Sequence, residues 1–492
     1  MNILDYVIES TNKYIEEMPK EIRKKRGQFF TSKETALFMT TLFDLSSFTD
    51  NISVLDPGAG SGILTAALIQ HLNKVEIVKK VKVTCYETNK DIIKLLENNL
   101  SWIKNHSKVK IEYIIINDNY ITSQKLAYNK KESIYKYDII IGNPPYMKIG
   151  KNADEALAMS DICYGAPNLY FLFMEMGSFN LANNGELVFI VPRSWTSGAY
   201  FRKFREKFLN EISLEHIHLF VSRNKVFEQE MVLQETIIIK VKKTSIQSSK
   251  VIITTTNSNA DFSNKTIFNV PYNMVVYGEN KYVFLITSQK ELDIIKKVHR
   301  WTDTLPSIGL KMKTGLTVDF RNKNLLRSYN EKTTVPLFYS QHIQNGKVSF
   351  PIGKENEYIL TEQNGLLQEN KNYLFIKRFT SKEEKRRLQC GVYLAKEHSK
   401  YKMISTQNKI NFITGLNEVS DCLVYGLYVL FNSTLYDRYY RILNGSTQVN
   451  STEFNTIPVP SIKYIEKMGR ELIKVNDMSE TSCNKILGDI YV

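Results

Sequence analysis

Cysteine is scarce and scattered: Cys85, Cys163, Cys390, Cys422 and Cys483 are the only five among 492 residues, and no two form a CxxC pair. Such spacing argues against a disulfide framework and against a zinc ribbon. Seven histidines show no HExxH and no paired ligand spacing, so no metal is assigned. No uncharged apolar run of about eighteen residues occurs. The N-terminus Met1-Asn2-Ile3-Leu4-Asp5 lacks a basic region followed by an apolar core, so neither a membrane span nor a secretory signal is expected and the chain is expected in the cytoplasm. Acidic residues number 51 against 65 lysines and arginines, a net charge of +14. That deficit of negative charge points to a polyanionic partner. The basic residues are interleaved with aromatics over the chain and form no single amphipathic helix, which favours nucleic acid over a membrane surface.

A hydrophobic content of 43% with 24% charged residues describes a globular protein, and 492 residues exceed the usual single core, so two domains are expected. The most informative stretch is Asn143-Pro144-Pro145-Tyr146, which ends the apolar run Tyr137-Asp138-Ile139-Ile140-Ile141-Gly142. Two prolines cannot extend a central ladder, and they fix φ, so an Asn amide and a Tyr ring are held at the carboxyl edge of a sheet. Open α/β sheets carry their chemistry at that edge. The group suits a planar amine such as adenine N6: the Asn143 oxygen and the Pro144 carbonyl accept its two N–H bonds while Tyr146 stacks on the base.

Upstream, Ser53-Val54-Leu55-Asp56-Pro57-Gly58-Ala59-Gly60-Ser61-Gly62 reads as a strand, a glycine turn and then a helix over 63–72. Glycines 58, 60 and 62 let backbone approach a ligand at a helix N-terminus. The spacing is GxGxG, unlike the GxGxxG of a dinucleotide site, and Asp56 at the strand end suits a ligand bearing an ammonium group. The next strand, 81–86, ends at Glu87, placed to hold two ribose hydroxyls. A third, 111–116, ends at Asn117-Asp118, able to take an adenine amino group. Three successive strands thus end in acids before the one that ends in Asn-Pro-Pro-Tyr.

With these motifs the chain resembles the gamma-class N6-adenine DNA methyltransferases of restriction-modification systems, specifically the Eco57I-like group, which use S-adenosylmethionine. The resemblance implies a Rossmann-like α/β methyltransferase sheet with helices on both faces and a C-terminal mixed α+β target-recognition domain. Gly27-Gln28-Phe29-Phe30-Thr31-Ser32 resembles the segment that closes over the methionine part of the cofactor, so Thr31 joins Asp56, Gly58, Gly60, Gly62, Glu87 and Asp118 as cofactor residues. Phe173, in Asn168-Leu169-Tyr170-Phe171-Leu172-Phe173-Met174-Glu175, falls where the family sets an aromatic against the cofactor, and Phe227, after Val226, where it stacks a ring on a flipped base beside Tyr146. Asn143, Pro144, Pro145 and Tyr146 are the implied catalytic group. Thr31 also reads as a helix N-cap, with Glu34 completing a capping box.

Residues 1–268 are assigned to the catalytic domain and 269–492 to target recognition, with 244–266 read as strand edge and linker. In the second domain Asn345-Gly346 marks a hairpin turn between strands at 335–339 and 347–350. Lys377, Arg378, Arg386 and Arg387, with Asn444, Ser446, Thr447 and Gln448 of the polar loop 444–450, are the DNA-facing candidates, because amides and hydroxyls read base edges. A solvated helix face with a Glu383–Arg387 pair is the alternative for the basic cluster. His216 and His218, alternating on a strand at 214–221, read as structural.

Duplex DNA is therefore the expected partner, the chain acting as a monomer beside a possible cognate restriction endonuclease. The same four residues would serve a glutamine N5 methyltransferase acting on a protein, or an RNA N6-adenine methyltransferase. The Gln28-Phe29-Phe30-Thr31 segment and the long C-terminal part favour DNA over the protein substrate. No Pro-Cys dipeptide is present, which argues against cytosine carbon-5 methylation through a cysteine nucleophile.

Overall fold

The structure, a computed structural model, describes residues 2–18, 30–220, 235–380 and 384–491. The chain divides into two compact units, 1–196 with 200–287 and 197–199 with 288–492. No helix among the described residues is long and apolar enough to cross a membrane.

The first unit is built on a nine-stranded sheet. Its strands are β1 (Asn51–Asp56), β2 (Lys80–Tyr86), β3 (Lys110–Ile116), β4 (Tyr137–Gly142), β5 (Leu181–Pro192), β6 (Ser213–Phe220), β7 (Thr236–Lys242), β8 (Lys250–Thr256) and β9 (Thr266–Pro271), in the order β3-β2-β1-β4-β5-β7-β6-β8-β9. The first five strands in that order are parallel, and β7 runs antiparallel to both β5 and β6. Strand order reverses between β1 and β4, which pair as Val54↔Ile139 and Leu55↔Ile140. At such a switch the connections leave toward opposite faces and open a crevice at the carboxyl ends.

Helices cover both faces, as expected. On one side α1 (Ile3–Glu17), α2 (Lys33–Thr40), α3 (Ile63–Val75) and α4 (Lys90–His106) bury Leu4, Val7, Met39, Leu68 and Leu96 with Val54, Val83, Ile139, Ile141, Val188 and Ile190 of the sheet. The alternate residues of β5, Leu187 and Phe189, face the other way toward α5 (Leu169–Asn180), where a Cβ on Gly177 would lie 2.6 Å from Leu187. The period of two along a buried strand thus feeds two helix layers.

The expected division at 268/269 falls inside β9, which pairs along its length with β8, so the unit extends to Thr287. The segment 244–266, read partly as strand edge and linker, carries β8 itself: in the β-branched run 251–253, Ile252 and Ile253 pair with β6 and Val251 with Val270 of β9. His216 and His218 do prove structural: each hydrogen-bonds Thr254 of β8 at 2.8 Å, and burial lowers their pKa values to about 4 and about 3.

The second unit is mixed α+β. A six-stranded sheet includes Leu310–Thr314, Ile410–Gly415, Tyr373–Lys377 and Cys390–Tyr393, and a five-stranded sheet includes Val335–Phe338, Tyr358–Ile359 and Met403–Thr406. Asn345-Gly346 does turn a hairpin, with φ of 49° and 80°, but between Ile343–Gln344 and Lys347–Val348; the strand at 335 pairs in the other sheet. Among the helices that follow are α6 (Asp421–Phe431), α7 (Thr434–Leu443) and α8 (Ile462–Val475). The first two break at Ser433, whose hydroxyl caps α7 through Tyr436 N.

Candidate active site

A cavity of about 480 Å³ opens at the carboxyl ends of β1, β2, β3 and β4. Gly58 and Gly60 form one wall, Glu87 and Asp118 the next, Phe173 and Leu169 of α5 another, and Asn143 with Pro145 the edge toward β5. Phe30 and Thr31 close it from the N-terminal segment. Thr31, Gly58, Gly60, Glu87, Asp118, Phe173, Asn143 and Pro145, all expected from sequence, therefore share one space.

The glycine turn has a backbone that only glycine adopts without strain at two points, Gly60 at φ 53° and Gly62 at φ 86°, the latter starting α3. Between Gly58 and the Phe173 ring, and between Gly60 and the Phe30 ring, an added Cβ would lie 3.8 and 3.7 Å from the aromatic carbons, so both rings pack close over this wall. Glu87 braces the turn: Oε2 accepts from Gly60 N at 3.0 Å and Oε1 from Asn89 N at 2.8 Å. Burial raises the Glu87 pKa, with the Asn89 and Gly60 amides opposing. Asp118 is exposed at the mouth and accepts from Asn119 N at 2.6 Å.

Two expected cofactor residues do not line the cavity. Gly62 lies behind it at the start of α3, where a Cβ would meet Leu96 at 3.0 Å. Asp56 is fully buried beneath the turn and accepts from Thr65 Oγ1 of α3 at 3.0 Å. Along β1, Asp56 shares the face of Val54, which packs under the helices, so its carboxyl points into that layer and not into the crevice. Its Oδ1 has no hydrogen-bond partner among the described residues. Burial raises its pKa to about 7, with Thr65 opposing.

The tetrapeptide is anchored at both ends. Gly142 seats against Phe189, 2.7 Å from where a Cβ would stand, and Asn143 Nδ2 donates to Thr31 Oγ1 at 3.2 Å. Tyr146 donates its hydroxyl to Ile190 O at 3.0 Å and meets Tyr170 edge to face at 6.4 Å. Burial of that hydroxyl holds its pKa well above the usual range, while the ring stays half-buried. Pro144 is buried and Pro145 half-buried. Thr31 is not a helix cap: Ser32 is, accepting from Thr35 N at 3.3 Å, because α2 begins one residue later than the capping-box pattern implies. Phe227 lies outside the described residues, as do Gly27, Gln28 and Phe29.

Sequence reasoning missed Asn119, Tyr120, Met147 and Glu155 in the lining. Asn119 and Tyr120 directly follow Asp118 and could have been found by adjacency. Glu155, which accepts from Asn119 Nδ2 at 2.8 Å, leaves no local signal.

Among the DNA-facing candidates, several turn inward. Arg387 is fully buried: Nη1 donates to the carbonyl and hydroxyl of Thr380, and Nη2 to Ser446 O at 2.6 Å. Arg386 pairs with Glu480 at 2.9 Å with its side chain 15% exposed. Asn444 is buried and donates to Tyr440 Oη and Glu453 Oε2. Each of the three spends its donors on partners within the second unit. The segment 384–389 forms no helix, and Glu383 lies outside the described residues. Ser446 and Thr447 are exposed, and Lys377, Arg378 and Gln448 half-buried; Arg378 donates to Asn408 O at 3.1 Å and to Gln448 Oε1 at 3.4 Å.

Residues 61–227 match the family described as Eco57I restriction-modification methylase. The Type II methyltransferase M.PstI of Providencia stuartii is 32% identical over 498 residues, covering 99% of this chain and 96% of that relative. The Type II methyltransferase M.BsuBI of Bacillus subtilis is 34% identical over 464 residues, covering 92% and 91%. In fold, the chain is similar to the Type IIL restriction-modification enzyme MmeI, solved in complex with DNA, with a TM-score of 0.55 and 13% identity over 99% of this chain and 74% of that one.

Proposed function

The chain belongs to the Type II methyltransferases of restriction-modification systems, and on that footing we propose that it methylates adenine N6 in duplex DNA after swinging the base out of the helix. The observation that carries the proposal is the single cavity shared by the glycine turn, Glu87, Asp118 and Asn143. The cofactor is S-adenosylmethionine, and the residues present fit it: the volume suits a ligand of that size, two carboxylates stand where hydroxyls and an amino group need acceptors, and two rings flank the turn. Glu87 would hold the ribose, Asp118 the adenine amino group, Phe173 the purine face, and the turn at Gly58 and Gly60 the amino-acid end. When bound, the cofactor supplies a methyl group activated by a sulfonium.

Inside a duplex, adenine N6 cannot reach this crevice, so the base is extruded at a cost of a few kcal/mol. Stacking on Tyr146 and Phe227 offsets that cost. Asn143 Oδ1 and the Pro144 carbonyl accept the two N6 hydrogens and draw the nitrogen toward tetrahedral geometry, so its lone pair becomes available. Pro145 keeps the turn rigid behind them. No side chain forms a covalent intermediate, and the proton leaves N6 after attack.

Likeness to Type II methyltransferases over nearly the whole chain, including 288–492, favours DNA over a protein glutamine or RNA. Residues 288–492 then read the target sequence, with exposed Ser446 and Thr447 and half-buried Lys377, Arg378 and Gln448 as the remaining contact candidates. The reading extends to cytoplasmic action as a monomer and to a cognate endonuclease of the same target. Incubation with labelled cofactor and duplex DNA, RNA or protein, followed by nucleoside analysis, tests it. N6-methyladenine in the DNA alone is the expected result, and label in glutamine or RNA overturns it.

A further inference from the structure

We infer that Thr31 is a positioning residue for Asn143, its hydroxyl holding the carboxamide at the angle from which it grips the amine. The inference rests on the proposed role of Asn143 and adds to it the group that sets its orientation. The Asn143 backbone is already defined, because β4 pairs with β1 as far as Ile140 and with β5 as far as Gly142, and the following Pro144 confines Asn143 to extended conformations. Its side chain is not defined that way. The last torsion of an asparagine is a broad, two-fold rotor, so strand and proline do not by themselves fix the amide plane. One contact that limits it is Nδ2 to Thr31 Oγ1 at 3.2 Å, which aims the other branch of the amide, the accepting oxygen, away from Thr31.

Thr31 is itself held firmly enough for this. It is 6% exposed and lies between two anchored neighbours: Phe30, whose ring packs at Gly60, and Ser32, which caps α2 and accepts from Asn259 Nδ2 at 3.4 Å. Thr31 and Asn143 both line the cavity, so the contact between them is made inside the site.

The test compares Thr31→Val, which keeps the shape and removes the hydroxyl, with Thr31→Ser, which keeps the hydroxyl. Single-turnover methyl transfer to unmethylated genomic DNA is measured beside equilibrium binding of S-adenosylhomocysteine and thermal melting. Thr31→Val is expected to slow transfer roughly ten- to a hundredfold, as misplacement of a reacting group does, with melting near wild type and any loss of cofactor affinity much smaller than the loss of rate. Thr31→Ser is expected to restore the rate, and Thr31→Val is expected to add nothing in an Asn143→Ala background. A Thr31→Val enzyme of wild-type rate, a serine variant as slow as the valine one, or a rate loss matched by lost cofactor affinity overturns the inference. Nucleoside analysis of the wild-type product keeps the two claims apart: a product other than N6-methyladenine sinks the adenine reading, whereas the Thr31 comparison still reports on positioning.

Discussion

Asn143 and Asp56 stand at the ends of neighbouring strands, and their surroundings give them opposite behaviour. Asn143 reaches the cavity, so Asn143→Ala should lower methyl transfer roughly a hundredfold or more, the scale of losing one preorganised polar group, while cofactor and DNA affinities stay close to wild type. Measuring both affinities beside turnover checks this, and equal loss of binding would count against the role. Asp56 is sealed beneath the turn, with a pKa near 7 caused chiefly by burial. The native state therefore keeps a proton that the unfolded chain releases above about pH 4. Stability from this group is complete below that pH and is lost as pH rises toward 7, by up to about 4 kcal/mol. Asp56→Asn has no such proton to lose, so denaturation midpoints at pH 5 and pH 8 should differ less in the variant; parallel profiles would refute the assignment.

At the scale of elements, strands that run apolar and stop at a polar residue were legible in the sequence. The expected run 137–142 coincides with β4, and Glu87 and Asp118 emerge at the ends of β2 and β3. The side of the sheet on which each end residue projects was less legible, which is why Asp56 was expected in the cavity. Burial of charge through distant partners was not legible at all. Arg387 looks like part of a solvated basic run, yet its partner Ser446 lies 59 residues away. Arg387→Ala should accordingly destabilise the second unit by about 3 kcal/mol, leaving carbonyls unpaired, without altering the salt dependence of DNA binding. In the same unit α6 and α8 cross where Gly426 and Gly469 meet: a Cβ on Gly469 would overlap the Cys422 carbonyl, and one on Gly426 the Ile465 carbonyl. Gly469→Ala should force the helices apart and cost about 3 kcal/mol or more, read as a lowered melting temperature.

For the whole molecule, the net charge of +14 governs encounter with DNA. Lysines and arginines displace counterions from the phosphates, so affinity should fall roughly a thousandfold between about 50 and 200 mM salt if some six phosphates are neutralised. A fluorescence titration across that range measures the slope, and a flat line would remove DNA as the partner. The pairing of Leu55 with Ile140 reaches further than its two residues suggest. Because one hydrogen-bonded ladder carries both the glycine turn and the Asn-Pro-Pro-Tyr corner, sheet breathing displaces them in concert. Their separation is thus a property of backbone covalent and ladder geometry, insulated from drift in the helices outside, and random substitution in those helices should erode folding long before it detunes the chemistry.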